Sequence, residues 1–176
     1  GVFGSITMVV LLPDQDVGFA IVMNSEESGF MRGLMYELLD HYLDLPNHDW
    51  PTRWAAFMEQ RIAGGKAALA QRQASPAKVG PSLGLDRYAG TYKDPWYGNI
   101  VVGNAASGLT IDFKSTPRMA GRLEHWQYDT FVTRFDDSSI EPAYVTFALD
   151  ADGKVSRVTM KAVSPLADFS YDYHDL

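Results

Sequence analysis

The chain of 176 residues has 46% hydrophobic and 21% charged side chains, a balance that supports a buried core and excludes general disorder. Its formal net charge of -7 argues against nucleic acid, whose phosphates need clustered Lys and Arg, and no apolar run approaches the roughly 18 residues that span a bilayer. With 0 Cys, disulfides and thiolate metal sites are excluded.

Gly1 has no Met before it and leads straight into a strand, so the expectation is a piece of a longer protein. Residues 5–12 are apolar and largely β-branched, 13–16 (Pro-Asp-Gln-Asp) form a turn, and 17–23 make a second apolar strand. Both strands are almost continuously apolar, the pattern of strands covered on both faces. A lone hairpin lacks such cover, so a truncated sheet is expected. Asn24 and Ser25 offer a helix cap, and the helix is expected to run to about Leu45. Phe30, Leu34, Leu38 and Tyr42 step by four, with Met31, Met35 and Leu39 in the adjacent row. Pro46 ends this helix, and Asp49 opens a second with Pro51 in its first turn. That helix carries Trp54, Phe57, Met58 and Ile62 on one face, is weakened at Gly64 and Gly65, and can continue to Gln73. Residues 74–84 read as a linker.

After the linker the texture changes to short strands. They are expected at 90–93, 99–103, 109–114, 120–128, 130–135, 143–149, 154–162 and 169–173, punctuated by Gly108, Pro117, Asp136 and Gly153. About eight antiparallel strands at this spacing suggest an up-and-down barrel or a strongly curved sheet. The fold class is therefore α+β, a hairpin and two helices followed by an antiparallel β-barrel. The expected boundaries are 1–47 for hairpin and first helix, 48–84 for second helix and linker, and 85–176 for the barrel.

Two stretches resemble known families. Residues 1–24 resemble the end of the β-lactamase-like serine hydrolases, the class C β-lactamases and penicillin-binding proteins among them. There a Gly-rich turn, a strand ending in Leu-Pro-Asp/Glu, a strand ending in Asn and a long helix follow in this order. Tyr88-Ala-Gly-Thr-Tyr92, Tyr97-Gly-Asn-Ile-Val-Val102, Gly108-Leu-Thr-Ile111 and Leu123-Glu-His-Trp-Gln-Tyr-Asp-Thr-Phe131 resemble the lipocalin-like C-terminal domain of unknown function that often follows it. The resemblance implies acyl transfer on an amide or ester in the intact protein, without metal or other cofactor, in the bacterial periplasm or another extracytoplasmic space. It also implies that the nucleophile motif Ser-x-x-Lys, and the Tyr that follows, lie upstream of Gly1. The missing N-terminal catalytic domain is then the first expected partner, and a homodimer through the exposed hairpin and helix the second.

Literal matches to the catalytic motifs occur within the chain. Ser75-Pro-Ala-Lys78 matches Ser-x-x-Lys, Tyr97-Gly-Asn99 matches Tyr-x-Asn, and Lys114-Ser115-Thr116 nearly matches the third motif. The chemistry needs the Ser at the start of a buried helix with its Lys one turn on. Pro76 and Pro81 deny a helix here, so no catalytic residue is assigned. His41 reads as a helix-edge residue and His48 as a cap neighbour; Asp150-Ala-Asp-Gly153 reads as a hairpin turn rather than a Ca²⁺ loop. Asp168, Asp172, His174 and Asp175 read as a solvated tail. No metal site is assigned.

The aromatic density from Tyr88 onward has two readings. The rings fill the barrel, or some line a mouth that binds an apolar ligand or a peptide. Tyr92, Trp96, Tyr97, His125 and Trp126 are the candidates for such a mouth, with His125 pointing either inward or away from the barrel. Three functional readings follow: the non-catalytic C-terminal part of a serine hydrolase, an autonomous module binding a small apolar ligand or cell-wall peptide, and a structural or oligomerisation element.

Overall fold

Pro13 closes one apolar strand and Asp16 opens the next. In the computed structural model, which describes residues 1, 4–73, 76–167 and 173, β1 (Ile6–Leu12) and β2 (Val17–Met23) pair antiparallel from Ile6 opposite Met23 to Leu12 opposite Val17. A 3₁₀ turn over Pro13–Gln15 joins them, and Asp16 takes the left-handed conformation (φ 52°) with its N–H on the Pro13 carbonyl at 3.2 Å. The chain divides into two compact units, Gly1–Gly64 and Gly65–Leu176.

In the first unit, the hairpin turns Met8, Val10, Phe19 and Ile21 towards one face and Val9, Leu11, Ala20 and Val22 towards the other. The first face is the better covered, with Ile21 buried and Phe19 stacked on Tyr42 at 6.0 Å. On the second, Val9 is 65%, Leu11 71% and Val22 72% exposed. The expected cover on both faces is therefore absent within this unit.

Helix α1 spans Ser28–Tyr42, starting later and ending earlier than its sequence suggests. Ser25 Oγ accepts the Glu27 N–H at 3.2 Å and so turns the chain ahead of the helix instead of capping it. At the far end Asp44 is left-handed (φ 51°), and the Leu45 N–H folds back to the Asp40 carbonyl at 2.8 Å. Helix α2 runs from Trp50 to Gln73, reaching the expected end and passing through both glycines. Its first turns meet α1 at Gly29 and Gly33. A Cβ on Gly29 would lie 2.5 Å from Met58 Cγ, and one on Gly33 2.7 Å from the Pro51 Cα. Small residues four apart, with Tyr36 against Trp50 and Trp54 beside them, make this helix–helix contact, whereas Phe30 is exposed.

In the second unit, seven strands form one antiparallel sheet in sequence order: β3 (Gly90–Asp94), β4 (Gly98–Ala105), β5 (Gly108–Phe113), β6 (Ala120–Gln127), β7 (Thr130–Phe135), β8 (Ala143–Leu149) and β9 (Val155–Ala162). Each lies within two residues of its expected position. The eighth expected strand, 169–173, lies outside the described residues apart from Tyr173. The sheet curls into a nearly closed barrel, for the ring of Tyr92 on β3 meets that of Phe147 on β8 edge-on at 5.9 Å. Ile100, Val102, Leu109, Ile111, Phe113, Leu123, Phe131, Val145, Phe147 and Met160 fill the interior. One break in the alternation of β9 is a bulge. Val155 faces Leu149 and Arg157 faces Ala148, so Ser156 is the extra residue, its Oγ donating to the Ala148 carbonyl at 3.2 Å. The last turns of α2, from Gly65 on, belong to this unit. Leu69 lies against the small cluster of Val132, Tyr144 and Val163, and a Cβ on Gly65 would meet Leu166 Cγ at 2.5 Å.

Candidate functional site

Asp129 sits at the tip of the β6–β7 hairpin, after Tyr128 in the left-handed conformation (φ 47°). Both its carboxylate oxygens are engaged by the segment that the sequence reads as a linker. Ser82 donates its N–H to Oδ1 and its hydroxyl to Oδ2, each at 2.8 Å, and the Tyr88 hydroxyl donates to Oδ1 in a short bond. The Tyr88 oxygen in turn accepts the Leu83 N–H at 3.1 Å. Upstream, Ala77 donates its N–H to Gln127 Oε1 at 2.6 Å, and Tyr128 donates its own to the Val79 carbonyl at 2.9 Å. Residues 77–83 are thus stitched to the hairpin, and the wholly buried ring of Tyr88 enters the barrel against Phe131 and Phe147.

The electrostatics suit holding rather than proton transfer. Burial, and then the neighbouring carboxylate, push the Tyr88 phenol up to about 12, so it remains a donor. Burial pushes the Asp129 carboxyl up, but the bonds from Tyr88 and Ser82 outweigh it and hold the group below the usual carboxylate range. Neither is poised to exchange a proton near neutrality.

The five aromatic and histidine candidates do not meet at one place. Tyr92 is half-buried beside Tyr88, donating its hydroxyl to the Tyr88 carbonyl at 2.8 Å. Trp96 is 86% exposed in the β3–β4 turn, where the Asp94 carboxylate takes its N–H and that of Tyr97 at 2.7 Å each. Tyr97 faces the interior at that end, against Phe113 and Tyr173. His125 is exposed on β6, its Nε2 2.9 Å from the Tyr128 carbonyl, with its ring edge-on to Phe131. Trp126 is the extra residue of a β6 bulge and packs on Tyr144, in the cluster that also takes Leu69.

The literal motif matches take ordinary structural positions. Tyr97-Gly98-Asn99 is the turn into β4, with Gly98 at φ 71°. Ser75 lies outside the described residues. The Asp150 carboxylate accepts the N–H groups of Asp152 and Lys154 at 3.0 and 2.8 Å, so it closes a hairpin. Among the described residues no group of three or more His, Asp and Glu side chains is placed to hold a metal ion. Among the described residues no helix is long and apolar enough to cross a membrane.

A second polar cluster stands in the first unit. Buried Asp40 on α1 presents Oδ2 to His48 Nδ1 at 2.8 Å and to Trp50 Nε1 at 2.7 Å. His48 first, and Trp50 against the opposing effect of burial, hold the Asp40 carboxyl below its ordinary range. His41 stays exposed beside Tyr42. Sequence reading missed both Asp40 and Asp129. The one is one of two acids on α1, with nothing in its spacing to mark it from Glu37, the other an Asp where a turn favours Asp anyway.

With this geometry in view, the second unit can be set beside known proteins. A family model described as a domain of unknown function, DUF3471, matches residues 74–176, more than half of the chain. The chain belongs to this family. No curated protein and no solved structure matches it. The DUF3471 region takes in all seven barrel strands, the Ser82–Tyr88–Asp129 clasp and the five aromatic and histidine candidates.

Proposed function

We propose that this chain is the C-terminal part of a β-lactamase-like serine hydrolase, with the DUF3471 barrel as a lipocalin-like accessory domain. The observation that carries the reading is the open apolar face of the hairpin, Val9, Leu11 and Val22, on a two-stranded sheet backed by a helix on its other side. Such a face suits the edge of a larger sheet whose remaining strands and helices belong to a catalytic domain. The barrel interior, filled by aliphatic and aromatic side chains, favours an accessory role over that of a small-molecule carrier. In the intact protein the reaction is acyl transfer through a serine ester, with the nucleophile upstream of Gly1, in an extracytoplasmic space.

On this reading the chain is inert by itself. A fluorophosphonate or β-lactam probe is expected to leave it unlabelled. Labelling that Ser75→Ala abolishes would overturn the assignment. The coding sequence just before Gly1 is the second check: a His or Lys two or three positions upstream, in a Gly-rich turn, is expected.

A further inference from the structure

Asp152-Gly153 is the only Asp-Gly step in the chain, and there is no Asn-Gly. It lies in the turn between β8 and β9, where Asp152 is exposed. The Asp152 carboxylate makes no hydrogen bond or ion pair among the described residues. Gly153 has no side chain to shield its nitrogen, and the place of a Cβ there is empty out to 4 Å. A free carboxyl followed by an unshielded backbone nitrogen is the arrangement from which a succinimide ring forms.

Asp150 restrains that step. Its carbonyl accepts the Gly153 N–H at 3.0 Å, and its own N–H donates to the Lys154 carbonyl at 2.8 Å. Its Oδ1 accepts the N–H groups of Asp152 and Lys154 at 3.0 and 2.8 Å. The attacking nitrogen is therefore tied back, and the residues on either side of it are held by one carboxylate. The ring can close only when this turn opens, and the opening of a hairpin tip is local, well short of unfolding the barrel.

We propose that Asp152 is a site of isoaspartate formation, and that Asp150 sets its rate by holding the turn shut. The Gly153 nitrogen bonds to Asp152 Cγ; the carboxyl hydroxyl and the nitrogen's proton leave together as water. Water then adds to either carbonyl of the ring. Addition at Cγ restores aspartate. Addition at the main-chain carbonyl breaks its bond to the Gly153 nitrogen, frees it as a carboxylate and routes the chain through Cγ. Water is the only co-reactant. The product has one more main-chain carbon between Asp152 and Gly153. The spacing that lets Asp150 hold both Asp152 and Lys154 is then lost, and the Gly153 carbonyl moves away from Arg87 Nη2, which donates to it at 3.2 Å. This inference is independent of the hydrolase parentage proposed above.

The test is incubation of the full chain at physiological temperature and pH over weeks. Isoaspartate is read by peptide mapping and by methyl transfer from an isoaspartyl-specific carboxyl methyltransferase. Accumulation at position 152 is expected, and its absence in Asp152→Glu, whose longer side chain would have to close a larger and slower ring. Asp150→Ala should speed the reaction about tenfold, the scale of losing two hydrogen bonds. Amide exchange at Gly153 and Lys154 should speed by the same factor, because one opening governs both. Asp150→Asn keeps an acceptor oxygen and should stay closer to the wild type in both readouts. No isoaspartate at position 152, equal rates in Asp150→Ala and the wild type, or a faster reaction without faster exchange at these two amides would each overturn the proposal.

Discussion

Tyr88 places a phenol at the end of a barrel and gives it one acceptor, Asp129. Removing the hydroxyl leaves a carboxylate that has lost one of three donors, a loss of about 1–3 kcal/mol for a charged group in a protected site. Tyr88→Phe should lower the urea midpoint at neutral pH accordingly. The pH dependence has a definite sign. A phenol raised from 10.0 to about 12 contributes stability that is intact below pH 10 and is lost as pH rises through about 12. The wild-type midpoint should therefore hold to about pH 10 and then fall, and the variant should lose the part of that fall due to Tyr88. Identical alkaline limbs in the two proteins would refute this. The Asp129 contribution has the opposite course, present above the ordinary carboxylate range and lost as pH falls through its depressed value. None of this was legible in the sequence. Ser82 is 47 residues from Asp129, and a serine in a linker carries no mark of its distant acceptor.

Elements were more legible than contacts. The strands announced themselves because apolar alternation between turn signals fixes both their limits and the side that faces inward. Helix α2 was legible to its last residue despite Gly64-Gly65, since good helix formers follow. The glycine part of the helix–helix contact was hidden, because a pattern search weighs large side chains such as Tyr36, Trp50 and Trp54, which meet beside it. The same two kinds of glycine role predict opposite signs in α2. A Cβ on Gly64 meets nothing within 4 Å, so Gly64→Ala should stabilise by about 0.5–1 kcal/mol through helix propensity. A Cβ on Gly65 would lie 2.5 Å from Leu166 Cγ, so Gly65→Ala should offset that gain and destabilise by about 1–3 kcal/mol through overpacking. Thermal unfolding of the two variants side by side checks both; equal shifts would contradict the packing at Leu166.

At the scale of the whole molecule, the exposed face of the hairpin is the feature from which self-association is predicted. Val9, Leu11 and Val22 form a contiguous apolar face, and Phe30 adds a further exposed ring in the same unit. Fully burying a side chain of this kind is worth about 1.5–3 kcal/mol, enough for a few of them to drive association. The isolated chain is expected to self-associate, and Leu11→Glu, at a position 71% exposed, should shift it to monomer without loss of fold. Sedimentation velocity decides the matter; a wild-type protein that stays monomeric over a wide concentration range would count against it. The almost continuously apolar strands are why the sequence leads one to expect cover on both faces of the hairpin; within this unit one face is covered and the other exposed, and hydrophobicity alone names no partner for it.

The meander order has a consequence for time rather than for shape. Every ladder in the barrel joins strands adjacent in sequence, so most of its pairing is local and can proceed hairpin by hairpin. The bonds that Ser82 and Tyr88 make to Asp129 close loops of 47 and 41 residues, so their ordering belongs late, after the hairpins exist. A contact that forms after the transition state governs escape from the native state and not arrival at it. Asp129→Asn should therefore leave the refolding rate nearly unchanged and shorten the lifetime of the folded barrel, with the whole loss of stability appearing in the unfolding limb of the chevron.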